Sequence, residues 1–294
     1  MILPGKKMKV KYVNRVFKIL LLLLVCVGAN INCNSKGEAE TVGQTPATEA
    51  SWELIFEDDF DLDLSLWNAW NSGAFNEEIQ LYRPEQLSLE NGILKINVER
   101  EAVTGMTNIF DGSIKNFEYV SGRIESKQLF GPSDSDGERE YRFMARIKLP
   151  SGHGMWPAFW TYGNPWPTQG EIDILEARGG RPFEYLTNLF FGTDPSININ
   201  VGSDVLHQVN QDLTTQFHEY EMIWRAETIE VIFDGEIIHL YRANATNNID
   251  KFFGRKQMLV LNTAVGGVFF EDRNSENYVD GSVMEIDWVR VYKR

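Results

Sequence analysis

Cysteine is almost missing from this chain of 294 residues: there are two, Cys26 and Cys33, and both lie within the first 33 positions. The rest therefore has no disulfide framework, no thiol nucleophile and no cysteine-ligated zinc. Histidine is scarce too. His153, His207, His218 and His239 show no metal-ligand spacing, and no His-Glu-x-x-His occurs, which argues against a catalytic zinc. Positive charge is short, with 28 Lys+Arg against 42 Asp+Glu and a net charge of -14. Residues 1–33 hold six of those bases and no acid, so the chain without them carries 22 bases against 42 acids, or -20. A surface that acidic repels phosphate backbones and anionic lipid, so nucleic acid is not expected as a partner. Convincing helical periodicity is nearly absent, and the apolar run 19–27 is too short to cross a membrane. What is there is globular: 43% hydrophobic and 12% aromatic residues, enough for one large domain with a sizeable core.

Basic residues up to Lys18, followed by the apolar run 19–27, read as an export signal over 1–33, with Met8 as an alternative start. The stretch that ends in Cys33 resembles a bacterial lipoprotein leader. That implies a lipidated Cys33 as the first mature residue, on the outer membrane or cell surface. Asn32 departs from the Gly, Ala or Ser that this pattern prefers, so plain secretion stays open. Residues 34–50, with Glu, Thr, Gly, Ala and Pro46, read as a flexible linker. The economical reading of 51–294 is one domain, a monomer that meets a membrane only through the lipid.

From Trp52 onward the period is two. Tyr141, Phe143, Ala145, Ile147 and Leu149 alternate with Arg142, Met144, Arg146 and Lys148. Asp234-Gly235 between 228–233 and 236–241 is a two-residue hairpin signal. Further strands are expected at 52–56, 93–99, 120–126, 156–161, 170–177, 186–191, 217–226, 256–264 and 283–293, with a short helical turn within 246–253. Many closely spaced strands imply an all-β, two-sheet sandwich.

The densest chemistry is Gly170-Glu-Ile-Asp-Ile-Leu-Glu176. On a regular strand Glu171 and Asp173 share a face and Glu176 points away; one bulged residue near Ile174-Leu175 restores the phase. Four effective steps then separate the glutamate backbones by about 13 Å. Long side chains leaning together close that gap to the about 5–5.5 Å that a retaining glycosidase needs. Three adjacent acids cannot all ionise cheaply, which leaves one as an acid while another stays ionised. The bland alternative is a solvated acidic strand or a calcium site. Trp156, Trp160 and Trp166 lie within twenty residues of the acids, and indoles suit stacking on sugar rings. The plain alternative for any one of them is core packing, which is the reading for Phe159.

Leu149-Pro-Ser-Gly-His-Gly-Met-Trp-Pro-Ala-Phe-Trp160, followed by the acid strand, resembles glycoside hydrolase family 16, in its laminarinase-like branch. Further matches are Phe56-Glu-Asp-Asp-Phe-Asp61, Ser121-Gly-Arg123, Val231-Ile-Phe-Asp-Gly235, Leu261-Asn-Thr-Ala-Val-Gly-Gly267 and Ile286-Asp-Trp-Val-Arg-Val-Tyr292. The resemblance implies a β-jelly roll with a concave substrate cleft, with Glu171 as nucleophile, Glu176 as acid/base and Asp173 tuning both. It adds Asn76, Arg123 and Asn262 to the three tryptophans as substrate-binding residues, and His153 as a possible substrate contact. It implies no cofactor for catalysis and a possible structural calcium at Asp59, Gly92 and Asp287.

Two departures bear on the substrate. Ala74 stands where that branch carries a tryptophan, and in Leu189-Phe-Phe-Gly192 the branch's cleft histidine is expected to be replaced by Phe191. The loop 129–140 is also unlike the glucanase pattern. The reading is a retaining endo-β-glycanase, by preference on β-1,3-glucan. An endo-β-galactosidase on agar, keratan or mucin-type O-glycans is the alternative. A non-catalytic glycan-binding lipoprotein is the reading from another class, and retention of all three acids speaks against it.

Overall fold

The computed structural model describes residues 51–294 except 133–138, 196, 200–203 and 254, and only the backbone of 197–199. The signal segment 1–33 with Cys33, the linker 34–50 and the middle of the 129–140 loop lie outside the described residues.

The strands, in chain order, are β1 (Glu53–Asp58), β2 (Trp67–Ala69), β3 (Gln80–Tyr82), β4 (Leu87–Glu90), β5 (Ile93–Met106), β6 (Ile114–Ser121), β7 (Arg123–Phe130), β8 (Tyr141–Lys148) and β9 (Met155–Tyr162). They continue with β10 (Glu171–Glu176), β11 (Glu184–Asp194), β12 (Ile197–Ile199), β13 (Val205–Gln208), β14 (His218–Trp224), β15 (Thr228–Phe233), β16 (Glu236–Arg242), β17 (Gln257–Val265) and β18 (Gly281–Lys293). One sheet has ten strands, with the path β16-β15-β14-β8-β18-β5-β6-β3, β1 beside β18 and β4 beside β5. The other has eight, with the path β12-β11-β10-β9-β17-β7-β2 and β13 beside β11. This is the all-β, two-sheet jelly-roll sandwich expected from the alternation.

The core lies between the sheets. β8 contributes Phe143, Ala145 and Ile147, β14 contributes Tyr220, Met222 and Trp224, and all six are fully buried. They meet Phe159, Ile172, Leu175, Tyr185, Leu259 and Leu261 from the second sheet in one cluster. Burying a side chain of this size contributes about 1.5–3 kcal/mol, so the apolar inner faces outweigh any single polar contact. The Asp234-Gly235 hairpin forms as expected, with positive φ at both positions (47° and 83°). The short helix α1 (Ile249–Phe252) falls within the expected turn.

One expected strand is wrong in kind. The stretch 120–126 is not continuous: β6 ends at Ser121 and β7 begins at Arg123, in different sheets. The chain crosses between sheets at Gly122, where a Cβ would lie 2.5 Å from Leu87 Cδ2, so any larger residue would have to push that side chain aside. The short strands β2, β3, β4, β12 and β13 lie outside the expected set, because three or four residues are too few to show a period.

Candidate active site

The acid strand β10 is bulged where expected. Its register against β11 runs Glu171 to Phe190, Ile172 to Leu189 and Asp173 to Asn188, then shifts so that Glu176 faces Leu186. The pairing with β9 shifts between Asp173 and Leu175. Ile172, Ile174 and Leu175 consequently all join the core, two of them in succession, and this turns Glu171, Asp173 and Glu176 onto the opposite face. Apolar burial thus selects the bulge that gathers the acids.

Each glutamate carries an indole. Trp166 donates its Nε1–H to Glu171 Oε2 at 2.6 Å, and Trp156 donates to Glu176 Oε1 at 2.9 Å. Trp156 stacks on Phe269 (4.4 Å, 14°), and the Arg178 guanidinium lies 3.8 Å over the other ring of that pair. Burial pushes all three carboxyls up: Glu171 to about 8, with the Glu176 charge adding to it, and Glu176 to about 7. Asp173 rises as well, through burial and then the charges of Glu176 and Glu171. The indole bonds, Arg123 beside Glu171 and Arg178 beside Glu176 pull the two glutamates back down. Nothing of that kind acts on Asp173, whose Oδ2 is buried without a hydrogen-bond partner. At neutral pH the trio therefore holds shared protons rather than three charges.

Trp160, Arg123 and Asn262 are brought together beside the acids. The Arg123 guanidinium sits between Trp70 (3.7 Å) and Trp160 (4.8 Å) and pairs with Glu125 at 2.6 Å. Trp160 donates to Asn262 Oδ1 at 2.8 Å and stacks on Tyr162, whose hydroxyl donates to Glu125 at 3.0 Å. Asn76 stands at the rim in a left-handed conformation (φ 58°), with its Nδ2 at 3.5 Å from Glu78 Oε1. Glu78, Tyr82, Glu125 and Tyr162 were not singled out from the sequence. A signal existed for two of them: Glu78, Gln80 and Tyr82 alternate with Ile79 and Leu81, which marks one polar face.

Several expectations change. Phe191 does not replace a cleft side chain: it is 3% exposed and stacks on Phe252 in the core (5.1 Å, 16°). The register places Phe190 across from Glu171 instead, because a one-residue step moves a side chain to the other face. Ala74 is buried against Trp70 and Tyr82, so the absent indole leaves no open space there. His153 packs edge-on to Phe270 and Tyr278 and lies 3.7 Å from Asp272, with Phe270 in the same cluster as Trp156.

The register brings Asp59, Gly92 and Asp287 to one corner, with Asp58 across from Val289 and Leu94 across from Ile286. A Cβ on Gly92 would lie 2.7 Å from Asp61 Oδ1 and 3.6 Å from the Asp59 carbonyl, so oxygen donors do crowd that point. The Asp287 carboxylate, however, is paired with Arg146 of β8. Among the described residues no cluster of three His, Cys, Asp or Glu side chains is placed to hold a metal. A cavity of about 220 Å³ lined by Gln128, Arg139, Lys256 and Lys293 among others contains none of the expected site residues. Chemistry, not depth, marks the site.

The family model for glycosyl hydrolases family 16 matches residues 80–290. The chain is 30% identical over 273 residues to glucan endo-1,3-beta-glucosidase A1 of Niallia circulans, covering 83% of this chain and 38% of that protein. It is 31% identical over 242 residues to glucan endo-1,3-beta-glucosidase of Cryptopygus antarcticus, covering 75% and 83%. The chain thus spans about two fifths of the first relative and most of the second. Among solved structures, the laminarinase catalytic domain from Thermotoga maritima MSB8 superposes with a TM-score of 0.67 at 25% identity, covering 83% of this chain and 98% of that one.

Proposed function

Because the chain belongs to glycosyl hydrolases family 16, we propose that it is a retaining endo-β-1,3-glucanase working through Glu171, Asp173 and Glu176. The observation that carries this is the bulged strand that sets three raised carboxyls on one face, with an indole bonded to each glutamate. In the first step the Glu171 carboxylate attacks the anomeric carbon while Glu176 gives its proton to the departing glycosidic oxygen. In the second, Glu176 takes a proton from water, and that water displaces Glu171 from the glycosyl ester with net retention. Asp173, with no group favouring its ionised form, holds a proton between the two and limits their mutual repulsion. Glu171 is raised further than Glu176, the reverse of what nucleophile and acid need. The roles therefore rest on position in the motif, and bound sugar must reorder the shared protons. Trp166 and Trp160 supply ring faces for sugar units; Trp156, buried and stacked on Phe269, acts instead through its bond to Glu176; and Arg123, Asn262 and Asn76 supply polar contacts. A calcium held by Asp59, Gly92 and Asp287 would pin strand ends and take no part in the reaction.

One observation favours a second substrate class, β-linked galactans: Phe190 presents an apolar side chain across from Glu171. Digestion of laminarin, mixed-linkage glucan, agarose, porphyran, keratan sulfate and mucin O-glycans, read by mass spectrometry, decides between them. Short β-1,3-gluco-oligosaccharides are expected. Galactose-terminated fragments with laminarin untouched would replace the substrate assignment, and no product from any of them would favour the binding-protein reading.

The leader supports an acylated Cys33 and a place on the outer membrane or cell surface. A fatty-acid analogue is expected to label the wild type, and Cys33→Ala to release it from membranes, since stable attachment takes two or more chains. An unlabelled, freely soluble wild type leaves ordinary secretion.

A further inference from the structure

The wall of the cleft carries a fourth buried carboxylate that the reaction above does not use. Glu78 is 8% exposed. Its Oε2 accepts from Gln80 Nε2 at 2.7 Å and from the Tyr82 hydroxyl at 3.5 Å, and its Oε1 from Asn76 Nδ2 at 3.5 Å. The amide of Gln80 has no freedom to turn, because its Oε1 accepts the backbone N–H of Val265 at 2.7 Å. Behind Glu78, a Cβ on Gly267 would lie 3.3 Å from Glu78 Cγ, so the side chain is backed by bare backbone.

The hydrogen bonds that end on Glu78 have a single direction. Trp160 donates to Asn262 Oδ1 (2.8 Å), Asn262 Nδ2 donates to the Tyr82 hydroxyl (3.1 Å), and Tyr82 donates to Glu78. A carboxylate accepts only, so an ionised Glu78 is the natural end of such a chain. Register brings the acid to the head of this chain: Glu176 of β10 lies across from Ala158 of β9, and Ala158 across from Asn262 of β17, whose Nδ2 starts the path through Tyr82 to Glu78. The charged and titratable groups that face Glu78 are thus Arg123 from β7, Tyr82 from β3 and Glu176 from β10. Glu176 in turn is faced by Trp156 from β9, by Arg178 just beyond β10 and by Glu171 and Asp173 from its own strand.

We propose that Glu78 is a positioning residue of this hydrolase, a buried negative charge that helps to keep the proton on Glu176 while anchoring the Trp160–Asn262–Tyr82 chain. The proposal rests on the role of Glu176 as the acid. Burial pushes Glu78 up to about 6, so it is charged above that pH, and its charge adds to the burial that raises Glu176. Arg123 compensates Glu78 only in part, being shared with Glu125.

The test is Glu78→Gln, with Glu78→Asp as the charge-retaining control, both in the full chain. Two readouts are followed against pH: kcat/KM on the best-cleaved glycan, and the Glu176 carboxyl signal in protein labelled with ¹³C at glutamate side chains. In Glu78→Gln the alkaline limb and the Glu176 titration are expected to move about half a pH unit or more toward acid, the size of a through-space effect between neighbouring charges. The wild-type and variant titrations should converge below about pH 6, where Glu78 is neutral, and Glu78→Asp should restore the limb. A Glu176 titration that does not move in Glu78→Gln overturns the proposal. Should the titration move while the kcat/KM limb stays, the assignment of Glu176 as acid fails and the electrostatic link stands. Should Glu78→Gln fail to fold, the wild type decides: a second inflection in the Glu176 carboxyl signal at the pH where the Glu78 carboxyl itself titrates, about 6, supports the link, and its absence overturns the proposal.

Discussion

Glu171→Ala is expected to lower turnover by about 10³-fold or more, and azide is expected to restore product as the glycosyl azide of inverted configuration. The variant removes the carboxylate that attacks the anomeric carbon, and the small anion enters the space it leaves and attacks from the same side. Glu176, still bonded to Trp156 at 2.9 Å, continues to protonate the leaving oxygen. Glu176→Ala should behave differently. It loses most activity on glycans but little on an aryl glycoside whose leaving group needs no proton, and azide should there give the retained anomer, because the ester on Glu171 forms first. Polarimetry or NMR of the azide products tells the two apart. Swapped anomers would exchange the roles of the two glutamates, and near-normal turnover by Glu171→Ala would remove it from the chemistry. At Glu176 the replacement is local, since the Trp156 indole is held by β9 and by its stack on Phe269; at Glu171 it frees the Nε1–H of Trp166, which stands in the exposed loop between β9 and β10.

Glu176→Gln is expected to make the protein more stable in alkali than the wild type. Folding raises this carboxyl from 4.5 to about 7, mainly by burial. The native state therefore binds the proton more tightly than the unfolded chain does. Stability from this group is fully present below about pH 4.5 and is lost as pH rises through about 7. With allowance for partial solvent contact and the proton shared with Glu171, the loss is about 2 kcal/mol. A glutamine does not titrate, so the gap in stability between variant and wild type should widen between pH 5 and pH 8. For a domain of this size that corresponds to a gain of about 4–8 °C in Tm at pH 8 relative to pH 5. Thermal unfolding at the two pH values measures it. A gap that is constant or narrows with pH would show that Glu176 is not held protonated by the fold.

Both expectations have one origin. The sandwich buries acids beside apolar strands, and the repulsion that weakens the fold in alkali is what leaves a proton available for the glycosidic oxygen. Asp173, 4% exposed and without a stabilising partner on Oδ2, is the extreme of the three.

The acid strand is legible in the sequence, because Glu-x-Asp-x-x-Glu has one bulged solution that buries Ile172, Ile174 and Leu175 together. The same holds for the alternation of β8 and for the Asp234-Gly235 hairpin: each is a short-range pattern in which neighbours along the chain settle the outcome. The partners of the acids were not legible. Asn262 meets Tyr82 across 180 residues and Trp160 across 102, and no local pattern in the chain encodes a pairing at that range. The placement of Phe190 rather than Phe191 opposite Glu171 turned on a one-residue register between β10 and β11. The break at Gly122 turned on the side chain of Leu87 coming close from another part of the chain. Glu78 became a buried charge only when the segment just before β3 met the segment just after β17, in the Glu78–Gly266 bridge, with the backbone of Gly267 against its side chain. Side-chain type and local spacing set which groups are available, whereas strand register and the packing of distant segments set which of them meet, since burial and Coulomb energies depend on distances that only the folded chain has.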